Sequence, residues 1–123
     1  MARQTKYDLE DRLISYSCLV IDVVEALPDT KSGNHIGNQF VRSGTAAAPN
    51  YGEALAAESR RDFIHKMSVC LKELRESRIW LRVVQKKRMV GDQVFIEEVL
   101  EETRQLIAIF GASLETAKRN RAD

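Results

Sequence analysis

Apolar residues recur at alternating steps of four and three along four stretches of this chain, and nowhere do they alternate with the period of two that a half-buried strand requires. The pattern predicts an all-α class. In residues 6–27, Leu9, Leu13, Tyr16, Val20, Val23 and Leu27 share one helix face. Thr5 stands where a cap belongs, with Asp8 three residues on, and Pro28 ends the stretch. In residues 33–57 the apolar line is Ile36, Phe40, Gly44, Ala47, Tyr51 and Leu55. In residues 60–89 it is Phe63, Met67, Cys70, Leu74, Leu81 and Val84, with Ser77 as a polar gap and Ser59 with Asp62 as a capping box. In residues 93–117, Ile96, Val99, Thr103, Leu106, Phe110 and Leu114 continue the pattern after Gly91, read as a C-terminal glycine, and Asp92, read as an N-cap.

Short connections after the first and third stretches make neighbours antiparallel, so one domain over 1–123 folds as an up-and-down four-helix bundle. The second helix carries Pro49, which has no N–H for the carbonyl of Thr45 four residues back. A kink is predicted near Pro49. Three helices also carry apolar residues outside the core stripe: Ile14, Cys18 and Ile21; then Ile64, Leu71, Ile79, Trp80 and Val83; then Leu100 and Ile107. A lone bundle needs one buried stripe per helix, so a second one leads to the expectation of a homo-oligomer.

At 123 residues the chain is long enough for a single core. Nineteen Lys and Arg stand against eighteen Asp and Glu, a formal charge of +1, which leaves electrostatic partners to local patches. No apolar run approaches the roughly 20 residues that cross a bilayer, and MARQTKYDLEDR lacks a signal peptide's apolar stretch. The expectation is a cytoplasmic protein with no membrane partner. Cys18 and Cys70 lie in apolar helical patterns without metal spacing and read as two reduced core thiols.

The charge is unevenly shared. Residues 60–88 hold ten basic and three acidic residues, whereas residues 89–117 hold six acidic and one basic. Arg75, Arg78, Arg82 and Lys86 fall within an arc of about 80°, a row able to track phosphates or to pair with carboxylates of a neighbouring helix. With Lys72, Lys87 and Arg88, and with Lys118, Arg119 and Arg121 of the tail, they are the nucleic-acid candidates. No aromatic residue interleaves the row, so any binding would run through backbone and shape.

Gly-rich phosphate loops, nucleophile elbows and zinc-ligand spacings are absent from the sequence. Asp62 and His65 share a helix face, yet His35 is the only other histidine, so neither a metal nor a cofactor is expected. On the second helix Gln39, Arg42, Asn50 and Glu53 form a polar line. Two readings of it stay open. One is a small enzyme with Glu53 as base and Arg42 as anion clamp, joined by Asp62 and His65. The other is a structural polar core of Gln39, Arg42, Asn50 and Glu53 that bonds across helices and fixes register.

The segment QFVRSGTAAAPNYGEALAAESRRDFIHK, followed by LKELRESRIWL, also carries a resemblance. Gln39, Arg42, Ser43, Thr45, Asn50, Glu53 and Ala54 match the pattern of the bacterial four-helix-bundle family first associated with intervening sequences in large-subunit ribosomal RNA genes. The resemblance covers nearly the whole chain. It implies an antiparallel bundle assembling into a five-fold ring and implies no catalytic activity. Accessory proteins of diversity-generating retroelements are similar in fold, and that branch pairs a strongly basic surface with a reverse transcriptase and nucleic acid. The near-neutral charge here leaves only the basic row and the KRNR tail for such a role. Taken together, the chain reads as a non-enzymatic, cytoplasmic homo-oligomeric bundle, a homopentamer by resemblance, with RNA or a nucleoprotein as a further partner. A pure protein-interaction scaffold is one alternative, and a small enzyme or metal-dependent bundle using Arg42, Glu53, Asp62 and His65 is the other.

Overall fold

Each predicted stretch is helical in the computed structural model, which describes residues 6–120 and side chains from Leu9 onward. The helices are α1 (Lys6–Ala26), α2 (Lys31–Gly44), α3 (Ala47–Leu55), α4 (Arg60–Lys86) and α5 (Gln93–Asn120). Packing runs in a closed circuit: α1 lies on α2 and α3, these on α4, α4 on α5, and α5 back on α1. The result is an antiparallel four-helix bundle in which α2 and α3 together make one arm. Thr5 lies outside the described residues, as does the side chain of Asp8.

Local chemistry sets the ends. The Thr30 hydroxyl accepts the Gly33 N–H at 3.0 Å and starts α2. The Ser59 hydroxyl accepts the Asp62 N–H at 3.1 Å and starts α4. Asp92 accepts the Phe95 N–H at 3.0 Å at the head of α5. The end of α4 differs from expectation. Arg88, not Gly91, takes the left-handed conformation at φ 51°, and no glycine has positive φ among the described residues. Met89 N–H reaches the Val84 carbonyl and Arg88 N–H the Gln85 carbonyl, the two bonds of a Schellman closure. The chain thus turns three residues before its glycine.

The kink expected near Pro49 takes the form of a break at Thr45–Ala46. Pro49 occupies the first turn of α3, where a backbone N–H has no helical acceptor to lose. The missing donor is felt upstream. There the Thr45 hydroxyl donates to the Val41 carbonyl at 2.6 Å, a back-bond that bends helices, and the Asn50 side chain donates to the Ala46 carbonyl at 2.9 Å. Just before the break, Gly44 lies so close to α1 that an added Cβ would sit 2.6 Å from a Val20 methyl.

The core stripes are buried as predicted, apart from half-buried Leu27, Leu55 and Phe63. One layer of that core is polar. Ser43 of α2, Ser77 of α4, Tyr16 of α1 and Thr103 of α5 are all at most 1% exposed, so every arm contributes a buried hydroxyl. The one Ser77 proton is shared between the Ser43 hydroxyl and the Glu73 carbonyl, each at 2.9 Å, and Ser43 donates to the Phe40 carbonyl at 3.3 Å. Tyr16 donates to Thr103 at 2.7 Å, and Thr103 to the Val99 carbonyl at 2.7 Å. Each hydroxyl is satisfied, so the layer fixes the axial register of four helices without an orphaned group.

Two expectations about apolar positions are corrected. Ile64, Leu71 and Leu100 belong to the interior, because a helix in a square bundle faces two neighbours and buries a wider arc than one stripe. Cys18 is exposed rather than a core thiol, since it sits opposite the core stripe of α1. Cys70 is buried, and burial pushes its thiol up to about 12.

Candidate functional site

Outward-facing residues of α4 form the most distinctive surface. Lys72, Arg75, Arg78, Arg82 and Lys86 are exposed, and none of them makes an ion pair among the described residues. Pairing with the acidic residues of α5, one of the two readings of this row, is therefore not what the structure does. Glu97 and Glu101 of α5 are engaged elsewhere: Arg104 bridges the two at 3.4 Å each, and Gln85 donates to Glu97 at 2.6 Å. Between the cations lies Ile79, 55% exposed, beside a shallow groove of about 460 Å³ lined by Ile79, Arg82, Val83, Gln85 and Lys86. An uncovered isoleucine ringed by unpaired cations favours contact with something both apolar and anionic.

The basic candidates of the tail do not join this surface. Lys87 and Arg88 close the C-terminal end of α4, whereas Lys118 and Arg119 end the antiparallel α5. These ends are separated by the length of α4, 27 residues or roughly 40 Å. Arg121 lies outside the described residues.

The polar line of α2 and α3 is corrected from core to surface. Arg42 and Glu53 are exposed, and Gln39 and Asn50 are half-buried. Arg42 and Glu53 do reach across to α4. The Arg42 guanidinium bonds Glu76 and lies 3.3 Å from Glu73, and Lys66 donates to Glu53 at 2.6 Å. Asn50 instead serves its own backbone. The reason is geometric: at the break the polar face of this arm flanks α4 rather than entering the interior, and the buried polar positions go to the small hydroxyls of Ser43 and Ser77. The Trp80 indole N–H, at 3.1 Å, and then Arg42 hold the Glu76 carboxyl below the usual carboxylate range, and the Trp80 ring meets His35 edge-on at 6.3 Å.

Of the residues weighed as an enzyme, Glu53, Asp62 and His65 line one shallow recess at the α3–α4 corner, together with Lys66. Arg42 is held away from it by carboxylates seven and ten residues further along α4 than Lys66. The base and the anion clamp of that reading therefore do not face a common point.

On the outward side of α1, whose apolar residues the sequence marks, the accompanying carboxylates are what sequence reasoning passed over. Ile14 and Ile21 are 50% and 45% exposed, with Cys18 exposed between them. The neighbouring charges, Asp11, Asp22 and Glu25, are exposed, acidic and without an ion pair among the described residues. The signal was present at helical spacing, because the three carboxylates share the outward arc with the apolar residues already noted. Arg12 of this helix turns the other way and forks onto Glu102 of α5 at 2.7 and 2.8 Å.

Comparison with known proteins adds a family and a fold. Residues 7–112 match the family described as 23S rRNA-intervening sequence protein. The chain is similar to a crystal structure of a protein with unknown function from the S23 ribosomal protein family of Bacteroides thetaiotaomicron VPI-5482, with TM-score 0.80 and 22% identity, covering 89% of this chain and 97% of that one. At that identity the likeness speaks for the fold alone. No curated protein matches the chain. Among the described residues, no helix is long and apolar enough to cross a membrane.

Proposed function

The chain belongs to the 23S rRNA-intervening sequence protein family, and from that premise we propose that it acts as a non-enzymatic, cytoplasmic homo-oligomeric scaffold, a homopentamer in its assembled form. The observation that carries this reading is the set of large apolar side chains left uncovered on three helices, Ile14 and Ile21 on α1, Ile79 on α4 and Val94 on α5, after the core has claimed Ile64, Leu71 and Leu100. Isolated surface isoleucines are ordinary, but here they stand in rows with unpaired charges of one sign per helix. Sedimentation of the purified chain tests it. A particle of several chains at micromolar concentration is expected, and a single-chain species at all concentrations refutes it.

A second reading is favoured by the unpaired cations of α4: contact with RNA through the phosphate backbone. Binding of a structured RNA measured across a salt series distinguishes it from a pure scaffold. Phosphate contact gives an affinity that falls steeply and log-linearly with salt, and absence of binding at low salt removes RNA from the account.

A further inference from the structure

We infer that the self-contact is heterologous, the acidic apolar face of α1 on one copy seating against the basic apolar face of α4 on the next; this rests on the self-association proposed above. The two faces are complementary in kind. α1 offers Ile14, Cys18 and Ile21 among carboxylates, and α4 offers Ile79 and Val83 among cations. They are also complementary in length. Asp11 and Glu25 stand seven residues either side of Cys18, and Lys72 and Lys86 seven residues either side of Ile79. Each pair therefore spans roughly 21 Å of helix, so carboxylates can meet cations at both ends whichever way the helices run.

Competing partners for α4 on a second copy are weaker. The other acidic face with an exposed apolar residue, Val94 with Glu97, Glu98 and Glu101 on α5, covers only residues 94–101 at one end of its helix, and Glu97 and Glu101 already share Arg104. A two-fold contact of α4 on α4 or of α1 on α1 sets like charges against each other. Position in the bundle completes the argument. In the packing circuit α1 and α4 occupy opposite corners, each resting on α2, α3 and α5. Joining one corner to the opposite corner of the next copy gives a head-to-tail chain, which closes into a ring when the rotation per copy allows.

Charge reversal tests the assignment. One variant carries Lys72→Glu with Lys86→Glu, a second carries Asp11→Lys with Glu25→Lys, and a third carries all four changes; the sites are exposed, and helix content checks that each variant folds. Sedimentation should show association weakened 100-fold or more in each double variant and restored in the four-fold variant, whose faces are again opposite in sign. Cys18 should alkylate slowly in the wild-type assembly and rapidly in the dissociated variants. If wild type assembles and both double variants stay assembled, or if the four-fold variant stays dissociated, the α1–α4 pairing is overturned while self-association stands. If the Lys72→Glu, Lys86→Glu variant loses RNA binding at unchanged mass, the α4 face belongs to RNA and the pairing is likewise overturned. A monomeric wild type removes the underlying reading itself.

Discussion

Replacing Gly44 by alanine probes the closest helix approach in the bundle. An ideal Cβ there would stand 2.6 and 2.7 Å from the two methyls of Val20 and 3.1 Å from its Cβ, inside the 3.4 Å at which ordinary contact begins. Val20 is 0% exposed and β-branched, so it has little rotamer freedom with which to yield. The helices must part instead, and overpacking of this kind costs about 1–3 kcal/mol. Removing a helical glycine returns about 0.5–1 kcal/mol, which leaves a net loss of up to about 2.5 kcal/mol. For a chain of this size that lowers the melting temperature by up to about 10 °C. Gly52 and Gly111 are internal controls, because a Cβ at either meets nothing within 4 Å. The same substitution there should raise stability by about 0.5–1 kcal/mol. Thermal unfolding followed by circular dichroism, at one fixed chain concentration since assembly makes melting concentration-dependent, measures all three. In a Val20→Ala background the Gly44→Ala penalty should largely vanish, isolating the pairwise clash. Gly44→Ala melting at or above wild type, or all three variants falling alike, refutes the close-packed seam.

Two further outcomes follow from single residues. Arg88→Gly should stabilise the chain by about 0.5–1 kcal/mol in urea unfolding, because the left-handed position that closes α4 strains any residue with a Cβ; an unchanged midpoint contradicts the Schellman assignment. Burial pushes the Tyr16 phenol from 10.0 up to about 12. The folded pKa is raised, so this group's contribution is complete below about 10 and is lost as pH climbs towards about 12. Alkaline unfolding should accompany the late tyrosinate absorbance, whereas Tyr16→Phe should remove that alkaline sensitivity while costing about 1–2 kcal/mol at neutral pH.

The helices and their core faces were legible because periodicity reports burial directly, and so was the break in the second arm, since a proline's missing N–H has one definite consequence. Its position at Thr45–Ala46 was less so: the affected group is the carbonyl upstream, and where it relaxes depends on Thr45 and Asn50. The Arg88 closure was hidden because glycine is the usual occupant, and Gly91 nearby drew the assignment. Width of burial was the larger miss. Ile64, Leu71 and Leu100 looked superfluous for a one-stripe helix, but a square packing circuit gives each helix two neighbours. The same logic moved Arg42 and Glu53 outward while revealing that Ser43, Ser77, Tyr16 and Thr103 share one layer, a juxtaposition that no single helix pattern contains. At the surface, charge totals exposed the basic row of α4, yet only the structure separates its cations from Glu97 and Glu101 of α5, which share Arg104.

The proposal that copies of the chain cover the uncovered faces of this bundle is tested by sedimentation equilibrium of the untagged wild-type chain. The expected particle is about 70 kDa, five chains of 14.0 kDa, persisting at micromolar concentration and loosening as salt rises. A 14.0 kDa species throughout the concentration range contradicts the claim, and a closed two-chain particle contradicts the head-to-tail contact on which the ring depends.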